Sequence, residues 1–142
     1  MDKIVVGVDG SAGSRAALRW AWAEARAHGA ALEVVTAWQY PITTALPAFG
    51  SMPAPDDLQS EARTEMLRIV ADEGVTADGG VDVTTLVGEG TAAQVLLDAA
   101  AKADLLVVGS RGHGGFKGLL VGSVSQQCVS HATVPVVVVH PG

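Results

Sequence analysis

Two kinds of apolar run alternate along the chain. Short β-branched stretches, "KIVVGV" (residues 3–8), "ALEVVTAW" (31–38), "VDVTTLV" (81–87), "DLLVVG" (104–109) and "VPVVVVH" (134–140), carry the chemistry of strands. Between them lie stretches predicted as helices over residues 14–28, 56–74, 90–103 and 123–131. The first is alanine-rich with Leu18, Trp20 and Trp22; Ser11 in "DGS" stands where an N-cap belongs, and Gly29 where a glycine ends a helix. In the second, Leu58, Ala62, Met66, Ile69 and Val70 are spaced to line one face, with charges on the other. Residues 39–55, "QYPITTALPAFGSMPAP", carry no charge and four prolines, and read as a long loop of the kind that often forms a lid.

The order is β-α-β-loop-α-β-α-β-glycine loop-α-β, with no repeat and no second domain in the 142 residues. Same-direction strands need a crossover, and each crossover here is helical, so the pattern predicts a parallel sheet with helices on both faces. The nearly unbroken apolar runs "DLLVV" and "PVVVV" fit strands buried on both sides. In such sheets ligands bind beyond the carboxyl ends of the strands, which puts Asp9, Ala37, Val87 and Gly109 at the relevant edge.

Composition narrows the function classes. Hydrophobic residues make up 49% and charged residues 17%, which excludes a disordered chain. No apolar stretch approaches the roughly 18 residues of a membrane helix, and Asp9 stops the N-terminal apolar run, so neither secretion nor membrane insertion is expected. The single cysteine, Cys128, has no internal disulfide partner, fits a reducing cytoplasm, and is expected in the core. With a net charge of −6 and nine scattered basic residues, duplex nucleic acid is a poor partner. Any bound anion must be small and held locally.

Three strand ends carry candidate chemistry. "GEGTAA" (88–93) matches a loose dinucleotide fingerprint, but the following strand begins rather than ends with its acidic residue, Asp104; a tight turn capped by Thr91 is the better reading. "GSRGHGGFKGLLVGS" (109–123) is not a Walker A loop, because Phe116 precedes Lys117 where glycine is required. Its glycines nevertheless let backbone N–H groups approach an anion, and Gly122-Ser123 opens a helix whose first N–H groups are unsatisfied. Ser123 and Ser125 add hydroxyls, and Arg111, His113 and Lys117 add positive or titratable groups. The same composition also describes a flexible surface loop with Ser123 as an ordinary cap. Asp9, third, could bind a base or ribose, hold magnesium through water, or cap the turn into the first helix.

Three segments together, "KIVVGVDGS", "ADLLVVGSRGHGG" and "GSVSQQCVSHATVPVVVVH", make the chain resemble the universal stress protein family over nearly its whole length. It also carries the spacing of that family's ATP-binding branch, G-2x-G-9x-G-[S/T], as Gly109, Gly112, Gly122 and Ser123. The resemblance implies a Rossmann-like, five-stranded parallel sheet in the order 3-2-1-4-5, ATP across the carboxyl ends, and a homodimer; Mg2+ as a companion ion of ATP stays open. Carried over by position, Asp9 and the backbone around Val8 and Ala37 would meet adenine or ribose. Gly109, Gly112, His113, Gly122, Ser123, Val124 and Ser125 would surround ribose and phosphates. "PITTALPAFGSMPAP" carries no motif of the family. The uncharged terminal strand, Val136 to Val139, argues for the dimer independently: at a sheet edge it would expose unpaired backbone groups that a symmetry mate could cover, central placement being the alternative.

No G-x-S-x-G nucleophile motif is present, and His28, His113, His131 and His140 show no metal-ligand spacing. The residues leave three functions open: an ATP-binding regulatory dimer, a slow ATPase or phosphotransferase with Asp9 on magnesium, and a ligand-free scaffold or AMP- or cyclic-AMP-binding protein.

Overall fold

A computed structural model describes residues 1–40, 54–77, 80–111 and 122–141. Along the chain run β1 (Lys3–Gly7), α1 (Ala12–His28), β2 (Ala31–Trp38), α2 (Pro55–Asp72), β3 (Val83–Glu89), α3 (Ala92–Ala100), β4 (Leu105–Gly109), α4 (Ser123–His131) and β5 (Val136–Val139). The five strands form one sheet in the order β3-β2-β1-β4-β5, and every pairing is parallel. The expected α/β architecture and strand order are both present.

Local chemistry sets the helix boundaries. The Ser11 side chain accepts the Ser14 N–H, so α1 begins at Ala12, two residues before the periodicity suggests. Its end is fixed by Gly29, at φ 65°, whose N–H reaches the Ala25 carbonyl. Pro55 opens α2, where its missing N–H costs nothing, and Asp56 and Asp57 complement the positive end of the helix dipole. Thr91 caps α3 by accepting the Gln94 N–H, which confirms the tight-turn reading of "GEGTAA" and removes residues 90 and 91 from the predicted helix. The third strand runs two residues later than its β-branched pattern, because pairing with β2 continues as far as Trp38 opposite Glu89. Residues 41–53 of the expected loop lie outside the described residues.

Alternation along the central strands feeds two cores. Ile4 and Val6 of β1 and Val8 just past it, with Leu105 and Val107 of β4, face α1 and α2 and join Leu18, Met66 and Ile69. Val5, Leu106 and Val108 face the other way, with Val95, Leu96 and Cys128 of α3 and α4. Burial on both faces explains why Ile4 to Val6 and Leu105 to Val108 are apolar in unbroken runs rather than at every second position.

Two polar anchors tie neighbouring elements together. Glu73, just past α2, accepts hydrogen bonds from Arg15 and Arg19 of α1, and Arg15 also lies 3.6 Å from Asp72. Those bonds, Arg19's first, hold the Glu73 carboxyl below its ordinary range. Just before β4 the Asp104 carboxylate accepts the backbone N–H groups of Asp2 (2.7 Å) and Lys3 (3.0 Å), and this lowers its pKa. The chain start is thereby tied to the start of β4.

A depressed carboxyl pKa stabilises the fold above the unfolded-state value, near 3.8, and that contribution disappears as pH falls through the lower folded-state value. Asp104→Ala is therefore expected to melt below the wild type at neutral pH. The gap should narrow as pH drops below that ordinary value, as read by circular dichroism melts across a pH series.

Candidate functional site

Parallel strands bring their carboxyl ends to one edge, and β1 lies between β2 and β4 there. Val8, Asp9, Ala37 and Gly109 are accordingly brought together, as the sequence predicts. Their individual roles differ from one another.

The main chain of Val8 is fully engaged: its N–H donates to the Val35 carbonyl (2.9 Å), and its carbonyl accepts the Thr36 hydroxyl (2.8 Å). Its side chain is buried in the core. Ala37 is half-buried, opposite Gly88 in register and packed toward the α3 side. Asp9 is exposed and shapes the turn into α1. One of its carboxylate oxygens accepts both the N–H (2.9 Å) and the hydroxyl of Ser11, and its own N–H donates to the Ser14 hydroxyl (3.1 Å). The turn-capping alternative for Asp9 is thus realised, with the carboxylate at the protein surface.

Gly109 has a packing reason to be glycine. A Cβ there would lie 2.6 Å from the Gly13 carbonyl carbon and 2.8 Å from the Ser14 nitrogen, backbone atoms that have no rotamer to yield. Reciprocally, a Cβ on Gly13 would lie 2.7 Å from the Arg111 carbonyl oxygen. The first turn of α1 therefore sits backbone to backbone on the end of β4. The signal in the sequence was the glycine within the helix-opening "SAGS", which periodicity alone passes over.

On the far side of β4, the Gly122 N–H donates to the Ser110 carbonyl, and Gly122 serves as N-cap of α4 without any side-chain cap bond. No acidic residue occupies the first turn of α4. Ser123 is exposed at the first helical position, and Val124 is half-buried against the α3–α4 core. Ser125 is buried, and its hydroxyl donates to the carbonyls of Gly109 and Ser110 (3.2 Å to the latter). Ser125 thus ties α4 to β4, while Ser123 presents its hydroxyl outward. Gly112 and His113 lie outside the described residues.

Sequence reasoning missed Ser110. It is fully buried, and its hydroxyl oxygen has no hydrogen-bond partner. The residue sits within the "GSRG" string, where the glycines drew the attention. Among the described residues no group of three His, Cys, Asp or Glu side chains could hold a metal ion. Cys128 is buried in the core as expected, and burial pushes its thiol up to about 11. No helix among the described residues is long and apolar enough to cross a membrane.

Crowding at the β4–α1 contact makes a direct prediction. Gly109→Ala should destabilise the protein by about 1–3 kcal/mol, the usual cost of forcing atoms into a filled space, as measured by urea unfolding.

Comparison with known proteins follows the same outline. A family model described as the universal stress protein family matches residues 1–140. A universal stress protein of Mycolicibacterium smegmatis is 37% identical over 141 residues, covering 96% of this chain and 47% of its own length. The chain thus spans about half the length of that relative, and of several mycobacterial ones like it. Among solved structures, a universal stress protein in complex with cAMP is 28% identical, covers 99% of this chain and 98% of its own, and superimposes with a TM-score of 0.68. One from Archaeoglobus fulgidus in complex with dAMP is 25% identical, with coverage of 98% of each chain and a TM-score of 0.61.

Proposed function

Because the chain belongs to the universal stress protein family, we propose that it is an adenine-nucleotide-binding, regulatory stress-response module. In this reading ATP lies across the carboxyl ends of β1, β2 and β4. The base and ribose lie toward Asp9 and Ala37, and the phosphates toward Gly109, Gly112, His113, Gly122 and Ser123, with Val124 and Ser125 forming the floor.

One observation carries the reading. The N-terminus of α4, with no side-chain cap and no acidic residue in its first turn, opens at the same sheet edge as Asp9 and Gly109. An uncapped helix N-terminus supplies backbone donors and a positive dipole end to an anion. The buried, bare Ser110 hydroxyl beside it fits an acceptor-rich group as well. The adenine nucleotides held by the related structures, cAMP and dAMP, support the ligand class. Magnesium would accompany the phosphates as their counter-ion, and the exposed Asp9 carboxylate is an acidic group at the carboxyl end of β1. The engagement of that carboxylate with Ser11 supports a binding role over turnover. A single buried thiol supports a cytoplasmic setting.

Calorimetric titration of nucleotide-stripped protein with ATP, AMP and cyclic AMP tests the proposal and ranks the ligands. Gly122→Val should weaken ATP binding by roughly tenfold or more, since a branched side chain at the N-cap stands in the path to the first-turn N–H groups. Unchanged affinity in that variant would remove the phosphate role from α4.

The module acts as a homodimer in this reading. β5 lies at the sheet edge, paired to β4 on one side, and its four valines are all half-buried. Covering its outer edge with the same strand of a second copy would close the assembly with two-fold symmetry. Light scattering coupled to size-exclusion chromatography should give twice the chain mass at micromolar concentration, and Val137→Lys should shift the protein toward the monomer.

A further inference from the structure

Ser110 is the one buried polar side chain among the described residues whose oxygen finds no hydrogen-bond partner, and no part of the residue is exposed (0%). Its main chain, by contrast, is saturated. The N–H donates to Val139 of β5 (2.9 Å), and the carbonyl accepts the Gly122 N–H and the Ser125 hydroxyl. A bare buried hydroxyl is costly, and proteins keep one where a ligand, a water or a strained working state supplies the partner.

Position selects among these. Val108 belongs to the core on the α3–α4 side, with Cys128 buried and Val124 packed against it. The Ser110 N–H continues the ladder to β5, so strand alternation carries the Ser110 side chain to that same face, one pleat nearer the carboxyl end and beside the first turn of α4. The first turn there offers N–H donors without a capping side chain. A hydroxyl beside helix N–H groups makes a set of donors, which suits a group that only accepts, such as a phosphoryl oxygen.

We propose that Ser110 is a further ligand-binding residue of this site, its hydroxyl donating to a phosphoryl oxygen held at the N-terminus of α4. The inference rests on the nucleotide reading above and adds to it the first of the two residues between Gly109 and Gly112, a position the spacing leaves open. In the free protein the hydroxyl is fully covered, so binding must uncover it. The bound state then satisfies a group that the free state leaves bare.

Removing the hydroxyl should therefore act in opposite directions on the two states. Ser110→Ala, with Ser110→Cys as the variant that keeps the volume but donates weakly, is to be melted alone and titrated with ATP–Mg2+, AMP, cyclic AMP, inorganic phosphate and adenosine. The free Ser110→Ala protein should melt at or above the wild-type temperature, while the Kd for ATP rises about tenfold in both variants. Loss for each phosphate-bearing nucleotide, with adenosine affinity unchanged, places the contact on phosphate; comparison of ATP with inorganic phosphate tells a nucleotide phosphate from a free one. A lower melting temperature for the free Ser110→Ala and Ser110→Cys proteins, or failure of both to fold, shows a hydroxyl already satisfied by water and overturns the assignment. So does wild-type ATP affinity in both variants, or an equal loss for adenosine. Wild-type protein that binds none of the probes overturns the nucleotide reading itself, and the role of Ser110 with it.

Discussion

Every strand in the sheet points the same way, and most else in the molecule follows from that. A parallel strand cannot return to its neighbour by a tight turn, so each connection must cross a face of the sheet, and the crossings are made by helices. The faces are then both covered, which demands strands with apolar residues on both sides, and Ile4 to Val6 of β1 and Leu105 to Val108 of β4 comply. The carboxyl ends collect along one edge, where the chain must turn from strand to helix and where backbone groups are left over. That edge is where Asp9, Ala37, Gly109 and the start of α4 meet.

What secures the edge is contact between main chains more than between side chains. Gly13 on Gly109, and Arg111 on Gly13, bring α1 and β4 closer than any side chain would permit. Ser125 and Gly122 bind α4 to the same strand through the carbonyls of Gly109 and Ser110. The floor of the site is thus built on both sides of β4 from polar backbone and small residues. The apolar cores lie further back along the strands.

Much of this was legible in the sequence because periodicity and caps are local. Ser11, Gly29 and Thr91 announce helix ends by their own chemistry, and "ALEVVTAW" matches β2 residue for residue. Legibility faded where long-range contacts decide. The two-residue displacement of β3 comes from its partner β2, which no window on β3 contains. Gly109 carries, beside its place in the glycine motif, a packing demand that shows only once Gly13 is seen against it. Ser125 reads as a hydroxyl donor, but that its hydroxyl reaches the carbonyls of Gly109 and Ser110 shows only in the fold, while Ser110 hides among glycines because burial has no local signature.

The lone thiol has a consequence of its own. Cys128 lies on the inner side of α4, under the helix whose first turn faces the proposed ligand, and its thiolate is suppressed by burial. A sulfur that is both covered and protonated is inert to alkylating reagents until α4 lifts from the sheet. The protein therefore carries a native chemical clock, with no label to introduce. The rate at which Cys128 becomes modified keeps time with the opening of the helix that carries it.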